Sequence, residues 1–136
     1  MNLWLLASTP AVETIIATAM LTTTSEAAPS TLFHRLSTNP EKVTELVERL
    51  EVQHGSILEH NRMNWFLEAS EGEVLRILLT NKFFTFTRLS SNRWLVSANL
   101  RTVLESQAMR GDFPKLLLES ISSVAPSIYT SARRMR

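Results

Sequence analysis

The chain has no cysteine, three glycines, five prolines and almost no excess of either charge. The absence of cysteine excludes disulfides, a thiol nucleophile and cysteine-ligated zinc. It also fits a reducing compartment, so we expect a cytoplasmic location. The formal charge of +1 gives no field that would draw the whole molecule to nucleic acid or to an anionic membrane. Neither partner is expected, and any anion site must be local.

The length of 136 residues predicts one domain with a real core, and 44% hydrophobic residues predict that this domain folds. The apolar N-terminus lacks basic residues and stops at Thr9-Pro10, so it is too short for a signal or a membrane span. We predict a single domain over residues 1–136. The basic residues at about 130–136 are interpreted as a solvated, frayed tail without a function.

Hydrophobic periodicity predicts an α+β fold, with a small mixed or antiparallel sheet covered by helices. Met63, Trp65 and Leu67 alternate with Asn64, Phe66 and Glu68, which is typical of a strand with one buried face. Residues 43–50 instead carry apolar side chains at helical spacing. The predicted strands lie near 2–7, 61–68 and 92–97, and the predicted helices lie near 10–21, 40–53, 71–82, 98–110 and 113–124.

Local signals predict where these helices begin and end. Thr9-Pro10 and Asn39-Pro40 each combine a capping side chain with a proline at the first helical position. Ser70 with Glu73 forms a capping box pattern. Pro126 is predicted to close the last helix. Polar residues predict a loop over 22–38 and a turn over 90–92, whereas residues 83–87 are compatible with an extended conformation.

The densest polar cluster lies at residues 54–60, which read HGSILEH. As a metal site it is poor, because His54 and His60 would point in different directions and no third ligand lies at zinc spacing; we predict no metal. Ser56 and Glu59 also match a capping box, which is a purely structural interpretation. The helix start that this box would make is equally a place for an anionic ligand. Both interpretations stay open.

The order of several short motifs resembles the flavin-dependent thymidylate synthase family. That family carries a helix, a segment of the form H-x-S/T-x-x-E-H and an aromatic alternating strand, as residues 54–67 do. Upstream, residues 3–21 resemble the strand and helix that lead to the family's A-A-R segment, with TAM at 18–20. Downstream, the sequence ANLR at 98–101 is similar to the family's N-A-R motif, and Arg110 matches a second arginine on the same helix. The resemblance covers most of the chain.

The resemblance implies a fold like that of the thymidylate synthase-complementing proteins and a homo-oligomer, a tetramer or dimer. It implies FAD as cofactor, and methylation of dUMP to dTMP with methylenetetrahydrofolate and NADPH as co-substrates. In this comparison Ser56 and Glu59 lie against the flavin. Asn99 and Arg101 contact its ring or ribose, and Lys82 keeps a cationic position of the cofactor site. Arg110 has the catalytic role of facing the uracil and helping to ionise it.

The departures from the family pattern concern the ligand-binding residues. The Arg-His-Arg signature is replaced by TNK at residues 80–82, and the segment that normally contacts deoxyuridylate is missing between Arg88 and Trp94. Glu105 places a negative charge where a phosphate would bind. Asn99 is also explained as a helix cap, and Arg101 and Arg110 as solvated charges.

Three functions therefore compete, and whether the chain is an enzyme stays open. The first is a thymidylate synthase-like flavoprotein, active or inactive. The second is a catalytically dead paralogue that serves as a structural or interaction module, for example with a full-length family partner. The third is a flavin- or nucleotide-binding protein without methyl transfer.

Overall fold

The computed structural model describes residues 1–50 and 55–134. Over these residues the chain forms an antiparallel sheet packed against short helices, which confirms the predicted α+β class. The strands are β1 (Asn2–Ser8), β2 (Arg62–Glu68), β3 (Thr85–Ser90) and β4 (Arg93–Asn99). The helices are α1 (Val12–Thr22), α2 (Pro29–Ser37), α3 (Pro40–Glu48), α4 (Gly55–Leu58), α5 (Glu71–Thr80), α6 (Leu100–Glu105), α7 (Phe113–Ser120) and α8 (Pro126–Arg134), with a 3-10 turn at Ser106–Ala108.

The sheet has the strand order β1-β2-β4-β3, with all neighbouring strands antiparallel. Because side chains alternate along a strand, one face collects the buried residues and the other collects the more exposed ones. On the buried face, Trp65 of β2 lies between Leu5 of β1 and Val96 of β4. On the open face, Phe66 lies between Trp4 and Leu95.

The hydrophobic core lies between the buried face of the sheet and the helices. Trp65 is 0% exposed, and its indole Nε1 donates a hydrogen bond of 2.8 Å to Ser120 Oγ on α7. Trp94 donates from its own Nε1 to the Ala69 carbonyl. Several helices contribute buried apolar residues to this core. Among them are Ile16 and Ala17 from α1, Val47 from α3, Leu100 and Val103 from α6, Leu117 and Leu118 from α7, and Ile128 from α8.

Several local predictions are confirmed. Ser70 and Glu73 form both hydrogen bonds of the capping box at the start of α5. Asn39 accepts a hydrogen bond from the Lys42 amide at the start of α3. The strands predicted near 2–7, 61–68 and 92–97 are β1, β2 and β4, each within two residues of the predicted ends.

The prediction of a loop over residues 22–38 was wrong, because most of that segment forms α2. Pro29 occupies the first helical position, where its missing amide costs nothing. Leu32 and Leu36 are four residues apart, lie on one face of the helix and are buried. Polar composition hid a helix whose apolar stripe is only two residues long.

The first helix does not open at Thr9-Pro10 as predicted. It begins at Val12, after Ala11 with a left-handed backbone (φ 53°). Thr9 instead joins the sheet: its Oγ1 accepts from the Arg62 amide at 2.9 Å, and its own amide donates to the Arg62 carbonyl. The Thr9 side chain, which the local sequence predicted as a helix cap, thus bonds instead to a distant segment of the chain.

Pro126 begins a helix and does not close one, which corrects the predicted C-terminus. The helix predicted over 113–124 ends at Ser120, and α8 follows with Pro126 at its start. Within the described residues the predicted frayed tail is therefore helical to Arg134. Arg133 packs over the Tyr129 ring one turn earlier, 5.9 Å from its centre.

Two other helices are shorter than predicted, and one strand was not predicted from the sequence. The helix predicted over 40–53 ends at Glu48, and the predicted residues 51–53 lie outside the described part of the chain. The helix predicted over 98–110 is α6 and a 3-10 turn, which end together at Ala108. Residues 85–90 form β3, which pairs with β4 through the tight turn at Ser91-Asn92.

Glu13 gives a testable pH dependence of stability. Its Oε1 accepts a hydrogen bond of 2.9 Å from the Ser127 amide at the start of α8. Burial raises the pKa of Glu13 above its ordinary value of 4.5, although the hydrogen bonds from Ser127 act in the opposite direction. Since this carboxyl is harder to ionise in the folded chain, its contribution to stability is complete below the unfolded pKa and is lost as the pH rises through the folded pKa.

We therefore expect Glu13→Gln to gain stability relative to wild type as the pH rises from about 4 to 7. Urea unfolding at several pH values measures the difference in free energy of unfolding. Glu26→Gln, at an exposed position, is the matched control and should show no such trend. A difference that shrinks with rising pH would contradict the assignment.

Candidate functional site

Arg101 lies between two carboxylates on the surface formed by α4 and α6. Its Nη1 donates to Glu59 Oε1 at 2.6 Å, and its Nε donates to Glu105 Oε1 at 2.9 Å. All three side chains are somewhat less than half exposed. The hydrogen bonds to Glu105 and Glu59 raise the pKa of Arg101, so the guanidinium stays charged and matched by two negative groups. This site attracts an incoming phosphate poorly.

The backbone of α4 packs directly against the same guanidinium. A Cβ added at Gly55 would lie 2.6 Å from Arg101 Nε and 2.8 Å from its Cζ. Gly55 itself is buried. The absence of a side chain at this position therefore leaves room for the Arg101 guanidinium, which reaches Glu59. This close approach explains why a glycine occupies position 55.

Ser56 is exposed and lies inside α4, so the predicted capping box with Glu59 is not formed. A capping serine must precede its helix, whereas here the helix already includes Gly55. The Ser56 carbonyl accepts from the Glu59 amide as part of the helical turn. His60 is exposed at the end of the segment, and His54 lies outside the described residues.

Asn99 acts as the N-cap of α6, which is the structural alternative considered from the sequence. Its Oδ1 accepts from the Thr102 amide at 2.9 Å and from the Thr102 hydroxyl at 3.0 Å. Both interactions use the side-chain oxygen of Asn99. The side chain is therefore already committed to starting the helix that carries Arg101.

Lys82 is exposed just after α5, with its Nζ 5.4 Å from the centre of the Phe83 ring. Lys82 and Glu105 line one shallow hollow of about 390 Å³, together with Leu79 and Thr80. Glu105 also binds Arg101, so the surface from Lys82 to Glu59 is continuous. Among the described residues of this surface, the cations of Lys82 and Arg101 are matched by the carboxylates of Glu59 and Glu105.

Arg110 lines a different and larger cleft, with a volume of about 730 Å³. Its walls are partly apolar, and Arg76 of α5 contributes a second guanidinium. Leu79 and Thr80 line both this cleft and the Lys82 hollow, so the two sites are neighbours on either side of the end of α5. The apolar residues that line it are Met1, Ile77, Leu79, Ala108, Met109 and Phe113.

Direct ion pairing in this larger cleft differs from that around Arg101. Within the described part of the chain, neither Arg76 nor Arg110 forms an ion pair with a carboxylate. Two carboxylates, those of Glu73 and Asp112, also line the cleft. The hydrogen bond from the Ser70 backbone lowers the pKa of Glu73, and the charge of Arg76 lowers it further. Gly111 (φ 96°) makes the turn that follows Arg110, a conformation unfavourable for other residues.

Arg76 is the residue of this cleft that the sequence alone did not single out. The local signal for Arg76 was its position on the predicted helix that runs from the Ser70 capping box to Lys82, a residue already assigned to a ligand site. Nothing local, however, relates it to Arg110, which is 34 positions further along the chain. Only the packing of α5 against the Arg110 turn brings the two guanidinium groups to one cleft.

The residues assigned to FAD from the family resemblance do not fit that cofactor within one chain. The pyrophosphate of FAD needs cationic or amide donors, whereas Arg101 and Lys82 share their surface with Glu59 and Glu105. The oxygen of Asn99 is engaged in the helix cap. The hollow at Lys82 is also small for a dinucleotide.

Comparisons with known proteins add no relative. No protein-family model matches the chain, and no curated protein matches it.

Among the described residues, no group of three or more histidine or acidic side chains is placed to hold a metal ion. None of the described helices combines the length and the apolar character needed to cross a membrane.

Proposed function

We propose that the chain is a degenerate relative of the flavin-dependent thymidylate synthases that binds a pyrimidine nucleotide in the Arg76–Arg110 cleft. In this proposal it does not carry out flavin-dependent methylation. The order of the surviving motifs along the chain supports the kinship, as does an α+β fold. The convergence of Arg76 and Arg110 on one cleft carries the proposal of nucleotide binding.

The chemistry of the cleft suits a nucleoside monophosphate. Arginine presents a planar set of donors that matches phosphate oxygens. Among the described residues neither guanidinium forms a direct ion pair, although the carboxylates of Glu73 and Asp112 line the same cleft. The apolar walls at Leu79, Met109 and Phe113 suit the flat, weakly polar surface of a base. A volume of about 730 Å³ falls within the range of small-ligand sites.

Methyl transfer on deoxyuridylate would need FAD for the hydride, with methylenetetrahydrofolate and NADPH as co-substrates. The paired charges around Arg101 and the helix cap at Asn99 argue against a retained flavin site. In this proposal Arg110 binds the nucleotide. Without a bound flavin, ionisation of the uracil by Arg110 would lead to no methyl transfer. We therefore assign binding without turnover.

Titration calorimetry on the purified chain tests this proposal. We expect deoxyuridylate to bind at least about tenfold more tightly than deoxyuridine, because only the nucleotide offers a phosphate to the arginines. The protein should be colourless, unchanged by added FAD, and inactive in deoxyuridylate-dependent tritium release. A yellow protein that releases tritium would refute the loss of activity, and equal affinity for nucleotide and nucleoside would refute the phosphate site.

A second candidate is an interaction module that pairs with a full-length family member. The observation that favours it is an exposed apolar surface on and after α5, beside the same cleft. Leu79 is 81% exposed, Phe83 is 60% exposed and Leu75 is 55% exposed. If this candidate is correct, the chain alone binds neither nucleotide nor flavin, whereas a mixture with a full-length family enzyme forms a complex on size-exclusion chromatography.

A further inference from the structure

The Arg76–Arg110 cleft contains an available acceptor as well as two donors. Asp112 lines the cleft two residues after Arg110, and its side chain is exposed. The carboxylate forms no cap hydrogen bond to α7, and none of the ion pairs in the described part of the chain includes it. It is therefore accessible to a ligand in the cleft.

The local backbone explains why this carboxylate is not used by the fold. Asp112 precedes α7, where an aspartate ordinarily accepts from the amide of the second or third helical residue. Here the second residue is Pro114, which has no N–H, and the cap bond to the third residue, Lys115, is not formed. The start of α7 thus leaves the Asp112 oxygens without a structural role.

Glu73, the other carboxylate that lines the cleft, is engaged in the fold. Its Oε1 accepts from the Ser70 amide at 2.9 Å and completes the capping box of α5. A ligand that took this oxygen would disturb the start of that helix. Of the two carboxylates, Asp112 is therefore the one that a ligand can use with the fold unchanged.

A carboxylate in the cleft restricts the base of a bound nucleotide. It repels a phosphate group, which the guanidiniums attract, so the carboxylate faces the other end of the ligand. An ionised aspartate only accepts hydrogen bonds. Uracil has a carbonyl oxygen at the position where cytosine carries an amino group, and aspartate pairs with the amino group. Opposite Asp112, uracil would place one acceptor against another.

We propose, on the basis of the nucleotide binding proposed above, that Asp112 makes the cleft selective for a cytosine mononucleotide over a uracil mononucleotide. The exocyclic amino group of cytosine donates to the Asp112 carboxylate, while the phosphate binds Arg76 and Arg110. The flat base lies against the apolar lining next to Asp112, which Met109 and Phe113 provide. The resemblance to the thymidylate synthases implies deoxyuridylate, so this cleft departs from the family in the base that it prefers.

Titration calorimetry with deoxycytidylate, deoxyuridylate and their nucleosides tests this selectivity. We expect deoxycytidylate to bind at least about tenfold more tightly than deoxyuridylate, as for one charge-assisted hydrogen bond. Asp112→Asn should reduce the difference to within about threefold, because an amide both donates and accepts and therefore suits either base. The same variant should bind deoxyuridylate more tightly than wild type does, since a charge that repels phosphate is removed.

A matched substitution on the same helix controls for the loss of charge. Glu119→Gln removes an exposed carboxylate from α7 that does not line the cleft, and it should keep the preference for deoxycytidylate. Circular dichroism verifies that the variants are folded. A preference that survives Asp112→Asn, or one that only Glu73→Gln abolishes, overturns the role of Asp112.

Comparing nucleotides with nucleosides separates this selectivity from the phosphate site. If both nucleotides bind more tightly than their nucleosides but equally to each other, the phosphate site stands and the selectivity is wrong. If neither nucleotide binds more tightly than its nucleoside, both are wrong. Tighter binding of cytidylate than of deoxycytidylate, lost in Asp112→Asn, would mean that the carboxylate binds the ribose hydroxyls, which also overturns the selectivity for cytosine.

Discussion

Replacing Trp65 with alanine is expected to lower the free energy of unfolding by about 3–5 kcal/mol. Trp65 is 0% exposed at the centre of β2, between the sheet and the helices. Its removal leaves a cavity in the middle of the core and deprives Ser120 of the hydrogen bond that ties β2 to α7. Domains of this size are stable by about 5–15 kcal/mol, so the variant should lose much of its stability. Urea unfolding followed by circular dichroism measures the change.

Two controls separate the causes of this loss. Ser120→Ala leaves the indole in place and removes the hydroxyl that accepts from Trp65 and donates to the Leu117 carbonyl, which should cost about 1–3 kcal/mol. Trp4→Ala removes the same type of side chain from the open face and should cost less than Trp65→Ala, since Trp4 is 48% exposed. If the two tryptophan variants lost equal stability, the assignment of the core to the Trp65 side of the sheet would be wrong.

The second large effect concerns the proposed nucleotide site. Arg76→Gln and Arg110→Gln are each expected to lower the affinity for deoxyuridylate about tenfold, and the double variant about a hundredfold. A charge-assisted hydrogen bond contributes about 1.5–3 kcal/mol, and glutamine keeps a polar side chain without the charge. Titration calorimetry measures the dissociation constants, and unfolding curves verify that the variants keep the wild-type fold.

A matched substitution elsewhere isolates the role of the cleft. Arg35→Gln removes an exposed arginine from α2, which does not line the cleft, and should leave the affinity unchanged. The affinity for deoxyuridine should change little in all of these variants. Loss of deoxyuridylate binding in Arg35→Gln to the same extent would mean that overall charge, and not the cleft, attracts the nucleotide.

The structure divides the residues predicted from the family resemblance into two neighbouring sites. Glu59, Arg101 and Lys82 share one surface with Glu105, while Arg110 lines the cleft on the other side of Leu79. Their electrostatic state could not be predicted from the sequence, because the ion pair of Arg101 with Glu59 joins residues 42 positions apart.

Features that depend on three or four neighbouring residues were predictable from the sequence. The capping box at Ser70, the cap at Asn39 and the alternation in β2 each rest on local geometry, and all three are present. The errors have the opposite origin. Thr9 bonds to Arg62, 53 positions away, and α2 is held by a short apolar stripe that its polar composition concealed.

The sequence by itself thus determined the fold class, three of the strands and the absence of any cysteine chemistry. The tertiary structure alone decided which charges are neutralised and which face of the sheet is open. It placed Arg101 between Glu59 and Glu105, brought Arg76 beside the Arg110 cleft, and left Trp4 outside while burying Trp65. The physical reason is that local hydrogen bonds follow from neighbouring residues, whereas burial and ion pairing depend on which distant segments pack together.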